Sequence, residues 1–170
     1  MLAIIYGYRY LGKPFLCATM LILFVCIHTT TQCQLNYEFY NSQNGLSQNS
    51  VYSIAQTNEG FMWFGTQEGI NRFDGKYFTQ VTVNYNKQDK NEMNYGEFSK
   101  MINVLFYDKK DRLWVGTSKE LAIYNRIKNK FYRPNSIYKN FAIPTDANIT
   151  KLTELQQQIW VLTLNKGLFC

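Results

Sequence analysis

A sequence motif that occurs twice in this chain limits the folds that the chain can adopt. The stretch FMWFGTQEGINRFDG, residues 61 to 75, returns as RLWVGTSKELAIYN at residues 112 to 125. Superposing the copies places Trp63 on Trp114, and a looser third copy places Trp160 in the same role. A repeat of about 20 to 50 residues is typical of solenoids and propellers, because one unit cannot bury its faces alone.

Each copy divides into short strands separated by turns. In the first copy the runs VYSIAQT, FMWFGT, INRFD and YFTQVTV are separated by the turns NEG, QEG and GK. Four short strands of this kind make one blade of a β-propeller. The pattern predicts an all-β chain, a β-propeller in the form of a partial arc of about two and a half four-stranded blades. The repeats are expected near residues 45–83, 96–132 and 143–170.

The repeated residues are interpreted as packing residues rather than as a binding site. An indole fills the gap between neighbouring blades, and the glycine two residues later lets the next sheet come close. Asp111 and Glu120 replace two turn glycines of the first copy, so those turns are expected to be strained or reshaped. The predicted structural positions are Trp63, Gly65, Thr66, Gly69, Trp114, Gly116, Thr117 and Trp160.

The first 33 residues have the order of a secretory signal peptide. Arg9 and Lys13 precede the apolar run FLCATMLILFVCI, and small residues follow near Cys33. An uncleaved membrane anchor is the alternative, but the run is short against the roughly 20 residues of a spanning helix. Residues 1–33 are therefore predicted to direct export, and residues 34–170 to form the mature domain.

Removal of that segment would leave Cys170 as the single cysteine and would leave no histidine. An intrachain disulfide, a histidine-based zinc site and a Ser-His-Asp triad are then excluded. No cofactor and no metal site are predicted. The formal net charge of +6 comes from lysines and arginines scattered through turns such as DKKDR, which indicates solvated turns rather than a nucleic-acid surface.

The segment NGLSQNSVYSIAQTNEGFMWFGTQEGINRFDG, residues 44 to 75, resembles the two-component regulator propeller repeat. The second copy carries the resemblance as INVLFYDKKDRLWVGT, and the third only in outline as LQQQIWVLTLNKGL. The resemblance implies the periplasmic sensor of a hybrid two-component histidine kinase. In that family, seven-bladed propellers precede an immunoglobulin-like domain, a membrane helix and a cytoplasmic kinase, and the sensor binds oligosaccharides released from a glycan.

The resemblance thus implies that this chain is an N-terminal fragment of such a sensor and is not itself an enzyme. About 137 residues remain after residue 33, whereas a ring of four to eight blades needs roughly 190 to 390. We expect an open arc with exposed apolar faces, hence poor solubility or self-association, a homodimer included. Its other expected partners are the remaining blades and the transmembrane kinase of the full-length protein in the inner membrane.

The predicted ligand contacts lie in the polar connection NYNKQDKNEMNYGEF, residues 84 to 98. Its aromatic residues Tyr85, Tyr95 and Phe98 stand among amides and charges, which suits stacking on a sugar ring. Two alternatives stay open, an exported propeller enzyme acting on polysaccharide and a secreted interaction scaffold. The enzyme would need a paired acid and base, and the spacing of the carboxylates does not establish such a pair.

Overall fold

The structure, a computed structural model, describes residues 36–81, 99–141 and 143–170. Residues 1–38 and 39–170 are separate units, and all the sheets lie in the second. The described residues form three antiparallel sheets in succession, two with four strands and one with three. This architecture confirms the predicted all-β propeller class, with consecutive strands pairing along the chain to make each blade.

The strands follow the repeats closely. The first sheet contains β1 (Val51–Gln56), β2 (Met62–Thr66), β3 (Gly69–Phe73) and β4 (Phe78–Gln80). The second contains β5 (Ile102–Tyr107), β6 (Leu113–Thr117), β7 (Leu121–Asn125) and β8 (Lys130–Tyr132). The third contains β9 (Ile149–Leu155), β10 (Gln158–Thr163) and β11 (Gly167–Phe169). A 3-10 turn (Ser42–Asn44) precedes the sheets, and one short helix, α1 (Pro134–Ile137), lies between the second and third.

Each sheet has the same irregularity where its first strand begins. Val51, Ile102 and Ile149 pair with Thr66, Thr117 and Thr163, and the register shifts directly beyond each of these pairs. A residue inserted at that point bends a strand and increases its twist. The bulge is thus part of the repeat and occurs at the equivalent position of all three sheets.

Two turns of the second copy replace glycines in different ways. Gly60 has φ +89°, and its counterpart Asp111 has φ +59°, so Asp111 keeps the left-handed conformation at a steric cost. Gly69 has φ +117°, but Glu120 does not have a positive φ, so this turn is reshaped. In the reshaped turn the Thr117 hydroxyl both accepts from the Glu120 N–H and donates to the Glu120 carbonyl.

A stabilising change is expected in the β9–β10 hairpin. Gln156 and Gln157 occupy its turn with φ +50° and +64°, the geometry that favours Asn-Gly. Replacing the pair by Asn-Gly should raise the free energy of unfolding by about 1 kcal/mol, because left-handed backbone strains a residue with a long side chain. Urea unfolding measures the gain. Lys119→Gly, at an exposed turn position without positive φ, is the control and should lower stability instead.

The core consists of two layers between successive sheets. Strand β6 shows why, because its alternating residues point to opposite sides: Leu113 and Val115 pack toward the first sheet, and Trp114 packs toward the third. All five residues of β6 are buried. The second sheet is therefore covered on both faces, as a blade inside a propeller must be.

The inter-sheet contact is closest at the glycine of the Trp-x-Gly-Thr phrase. A Cβ placed on Gly65 would lie 2.6 Å from the Cγ2 of Ile102, and one on Gly116 would lie 2.6 Å from the Cγ2 of Ile149. Each glycine thus receives the first β-branched residue of the next sheet. In the third sheet the corresponding position is Leu162, which is 44% exposed.

Substitution of Gly116 tests this contact. Gly116→Ala should lower the free energy of unfolding by about 1 to 3 kcal/mol, because an added methyl group overpacks a site already in contact with Ile149 and Val104. Combining it with Ile149→Ala should reduce that penalty, since the nearest methyl group of the next sheet is gone. Denaturant unfolding of the two single variants and the double variant gives the coupling energy, and strict additivity would contradict the close approach.

The first sheet has one face that no other sheet covers among the described residues. Ile54 is 56% exposed, whereas its counterparts Leu105 and Leu152 are only 5% and 6% exposed. From the preceding segment, Tyr40 packs on this face, edge-on against Phe73 and Phe78. The uncovered face therefore has the composition of an inter-blade surface.

Candidate functional site

The predicted ligand residues Tyr85, Tyr95 and Phe98 lie outside the described residues. They stay a prediction, and no geometry is assigned to them. The predicted repeat residues are placed by the structure, and their surroundings differ from one copy to the next. Those differences define the candidate site.

The threonine of the repeated phrase closes the turn after the second strand. Thr66 Oγ1 donates to the carbonyl of Gly69 at 3.0 Å, and Thr117 Oγ1 donates to the carbonyl of Glu120 at 3.0 Å. Thr163 makes the same bond to Gly167 at 2.8 Å. The hydroxyl bonds across the turn that follows the second strand, so this residue has a structural role at all three positions.

Trp114 lies between the second and third sheets and is 1% exposed. Its indole N–H donates to Oδ2 of Asp108 at 2.7 Å. Arg112 also binds this carboxylate through its Nε and packs over the indole ring, with its Cζ 5.1 Å from the ring centroid. Tyr138 and Phe141, from the segment after α1, cover the ring from outside.

The Asp108 carboxylate is held by four donors. It accepts hydrogen bonds from Arg112 Nε and Trp114 Nε1. It also accepts hydrogen bonds from the backbone N–H groups of Lys110 and Arg112. Burial alone would raise the pKa of this carboxyl, but the hydrogen bonds from Arg112 and Trp114 outweigh burial, and the pKa is lowered. Asp108 is therefore ionised near neutral pH and serves as the acceptor for a buried indole.

The equivalent indole of the first copy has no such acceptor. Trp63 is 2% exposed, and no described residue accepts a hydrogen bond from its N–H. The turn that provides Asp108 and Arg112 in the second copy has Thr57 and Phe61 at the same points, as shown by the matching backbone bonds of Thr57 to Phe61 and Asp108 to Arg112. The first copy therefore lacks both the carboxylate and the guanidinium that surround the indole of the second copy.

Trp63 lines a cleft of about 300 Å³ between the first and second sheets, which we call the Trp63 cleft. The first sheet contributes side chains from β2, β3 and the end of β4, and the second contributes them from β7 and the turn after it. The lining combines two aromatic rings, two guanidiniums and several uncharged polar groups: Trp63, Arg72, Thr79, Gln80, Val81, Tyr124, Arg126 and Asn129.

The two arginines of the Trp63 cleft are in different electrostatic situations. Arg126 forms an ion pair with Glu59. Arg72 is half-buried with its Cζ 4.8 Å from the centroid of the Phe61 ring, and no acidic side chain among the described residues forms an ion pair with it. Burial raises the pKa of the Tyr124 hydroxyl, and the positive charge of Arg72 opposes that rise. Arg72 therefore gives the cleft a positive charge that forms no ion pair within the described part of the chain.

Sequence reasoning missed the Trp63 cleft because it treated the tryptophans as equivalent. The available signal was the exchange of Asp108 and Arg112 for Thr57 and Phe61 between aligned copies, which changes the chemistry around one indole. Arg72 follows three buried residues of β3, and nothing in the sequence of the strand distinguishes it from a solvent-facing arginine. Its significance follows from its neighbours in the second sheet.

The remaining features of the described residues are simpler. In that part of the chain, no group of three or more His, Cys, Asp or Glu side chains is arranged to hold a metal ion. Nor does it contain a helix with the length and apolarity to cross a membrane. Cys170 is a free, exposed cysteine.

Comparison with known proteins agrees with the geometry. Residues 45–68 and 96–119 match the model of the two component regulator propeller family. A histidine kinase from Formosa agariphila is 43% identical over 42 residues, which are 25% of this chain and 3% of that protein. The extracellular domain of a putative hybrid two-component system from B. thetaiotaomicron is similar in structure, with a TM-score of 0.60 and 28% sequence identity. That similarity covers 77% of this chain and 18% of the other, so this chain spans a small part of both relatives.

Proposed function

We propose that this chain, two segments of which match the two-component regulator propeller repeat, forms part of the ligand-sensing propeller of a hybrid two-component sensor kinase. The observation that carries the proposal is the similarity to the extracellular domain of a hybrid two-component system, which extends over 77% of the chain at 28% identity. The local match to a histidine kinase supports the same assignment. In this proposal the domain lies outside the cytoplasm, and it has a sensing rather than a catalytic role.

The uncovered face of the first sheet supports further repeats as partners. Val51 and Ile54 are 38% and 56% exposed, although the corresponding residues of the other two sheets are buried against a preceding sheet. Burial of such residues contributes about 1.5 to 3 kcal/mol each when they move from water into a core. A further blade on this face would complete the packing that the second and third sheets already have. A homodimer is the second expected way to cover it.

The proposed ligand is an oligosaccharide derived from a glycan. Aromatic rings beside amides and hydroxyls suit carbohydrate, because the rings contact the C–H face of a sugar while the polar groups bind its hydroxyls. Tyr85, Tyr95 and Phe98 remain the predicted contacts. On this proposal, binding changes the activity of a kinase on the other side of the membrane.

Two observations on the full-length protein test the proposal. The coding sequence beyond residue 170 should contain further repeats, a membrane-spanning helix and a histidine kinase domain. A reading frame that completes the ring and ends without a membrane helix or kinase would instead favour the scaffold or the enzyme. In membrane vesicles, members of an oligosaccharide panel should change the rate of kinase autophosphorylation, and a rate unaffected by every member would contradict the carbohydrate ligand.

A further inference from the structure

The Trp63 cleft contains donors that have no acceptor among the residues that the structure describes. Within 36–81, 99–141 and 143–170, the buried Trp63 N–H has no hydrogen-bond partner and Arg72 forms no ion pair. An unpaired buried N–H group costs about 1 to 3 kcal/mol, since its hydration is lost and nothing replaces it. Native proteins retain few such groups, and those that they retain are often found at functional sites.

The second repeat shows which group fits beside this indole. At the equivalent position the Trp114 N–H donates to the Asp108 carboxylate, and the same carboxylate binds the guanidinium of Arg112. The Trp63 cleft presents the same two kinds of donor, an indole N–H and a guanidinium, with Arg72 supplied from β3 in place of an arginine in the turn. The missing component is the carboxylate itself.

We propose that the Trp63 cleft binds a small hydroxylated carboxylate whose carboxylate group takes the role that Asp108 has beside Trp114. The guanidinium of Arg72 provides the charge, and charge-assisted hydrogen bonds of this kind are about twice as strong as neutral ones. The indole N–H of Trp63 donates to the same group. Neither donor has a hydrogen bond or an ion pair to break among the described residues.

The rest of the cleft sets the character of the ligand body. Its volume of about 300 Å³ lies at the lower end of ligand pockets, which suits a single ring rather than a chain of several. Thr79, which pairs with Arg72 on the same face of the first sheet, adds a hydroxyl group, and Tyr124 provides an aromatic ring. A ring with hydroxyl groups and one carboxylate, the chemistry of a sugar acid, meets these conditions.

This inference is independent of the proposed signalling role, because it concerns binding to this chain alone. The Trp63 cleft lies toward β3, β4 and β7, away from the first strands through which neighbouring sheets contact one another most closely. It is also separate from the predicted contacts Tyr85, Tyr95 and Phe98. The chain can therefore bind a carboxylate whether or not it belongs to a kinase.

Titration of the whole chain with sodium glucuronate, followed by the indole N–H signals in ¹H–¹⁵N spectra, tests the proposal. The chain has three tryptophans, so it gives three indole signals. Glucuronate should shift the Trp63 signal in a saturable way and leave that of Trp114, whose N–H is already bonded to Asp108, in place. Glucose, which lacks the carboxylate, and acetate, which lacks the ring, should each bind at least tenfold more weakly.

Two variants identify the groups responsible. Arg72→Gln should weaken glucuronate binding by about ten- to a hundredfold, the loss expected for a charge-assisted contact. Lys76→Gln removes one positive charge from the same sheet outside the cleft lining and should leave the affinity unchanged. The Trp114 signal reports in each sample that the chain is folded. An unshifted Trp63 signal at saturating glucuronate, equal affinities for glucuronate and glucose, or an Arg72→Gln variant that binds as tightly as the parent would each overturn the proposal.

Discussion

Asp108→Asn is expected to lower the free energy of unfolding by about 3 kcal/mol at neutral pH, because removing one partner of a buried charged pair leaves the other uncompensated. The Asp108 side chain is fully buried, and that of Arg112 is 20% exposed. An amide at this position would also turn N–H groups toward the donors of Arg112 and Trp114. The midpoint of urea unfolding at pH 7 measures the loss.

The pH dependence of that loss distinguishes the effect of the negative charge of Asp108 from the effect of the size and shape of its side chain. Since the folded-state pKa of Asp108 is lowered, the carboxylate contributes its stability above its unfolded pKa of about 3.9 and loses it as the pH falls through the folded pKa. The difference between the parent chain and Asp108→Asn should therefore shrink below about pH 4. A difference that stays constant down to pH 2 would mean that the charge contributes nothing.

Asp111→Asn is the matched control for this experiment. Asp111 is exposed and accepts hydrogen bonds from Asn58 at 2.6 Å and from the Tyr107 hydroxyl at 3.0 Å. Asparagine tolerates the left-handed backbone of this position, and exposed polar contacts contribute little. We expect a change within about 1 kcal/mol, so a similar loss in both variants would contradict a special role for the buried carboxylate.

Leu105→Ala and Ile54→Ala form the second pair, and their effects should differ strongly. The two residues occupy the same position in successive repeats, but Leu105 is 5% exposed in the core between the first two sheets, and Ile54 is 56% exposed. Leu105→Ala should cost about 2 to 5 kcal/mol through lost burial and the cavity left behind. Ile54→Ala should cost less than about 1 kcal/mol, the usual range for a surface position.

Denaturant unfolding of the whole chain measures both members of this pair. Equal losses would show that the face of the first sheet is covered in solution, by self-association or otherwise. Repeating the measurement across a tenfold range of protein concentration separates these cases, since association makes the stability of the parent chain concentration-dependent. A large, concentration-independent loss at Ile54 would contradict the exposed face.

The blade architecture was predictable from the sequence because it depends on spacing. The tryptophan, the glycine two residues later and the following threonine recur in register, and strands with alternating side chains occupy the stretches between turns. These are local signals, and each blade is built from consecutive strands. The bulge at the start of each blade was not predictable in this way, because it is defined by pairing between strands rather than by residue type.

The Trp63 cleft shows the limit of that reasoning. Arg72 and Tyr124 belong to different repeats and meet only when the first two sheets pack together. The residues whose type suggested a ligand site lie in the connection between the first two repeats. The Trp63 cleft instead lies between the first two sheets. A comparison of the repeats with one another, position by position, detects the lost Asp108 counterpart, because an indole N–H that needs an acceptor is common to both.

Leucine at position 162 changes the way in which a neighbouring sheet can pack on the third sheet. The second and third sheets each place a β-branched side chain where the preceding sheet has a glycine, as Ile102 does at Gly65 and Ile149 does at Gly116. The third sheet has the 44% exposed Leu162 at that position, so a sheet packed on it has to lie over a leucine side chain instead of approaching the backbone at a glycine. The spacing between that pair of sheets is therefore set by a side chain, which makes it wider than the two spacings set by glycine.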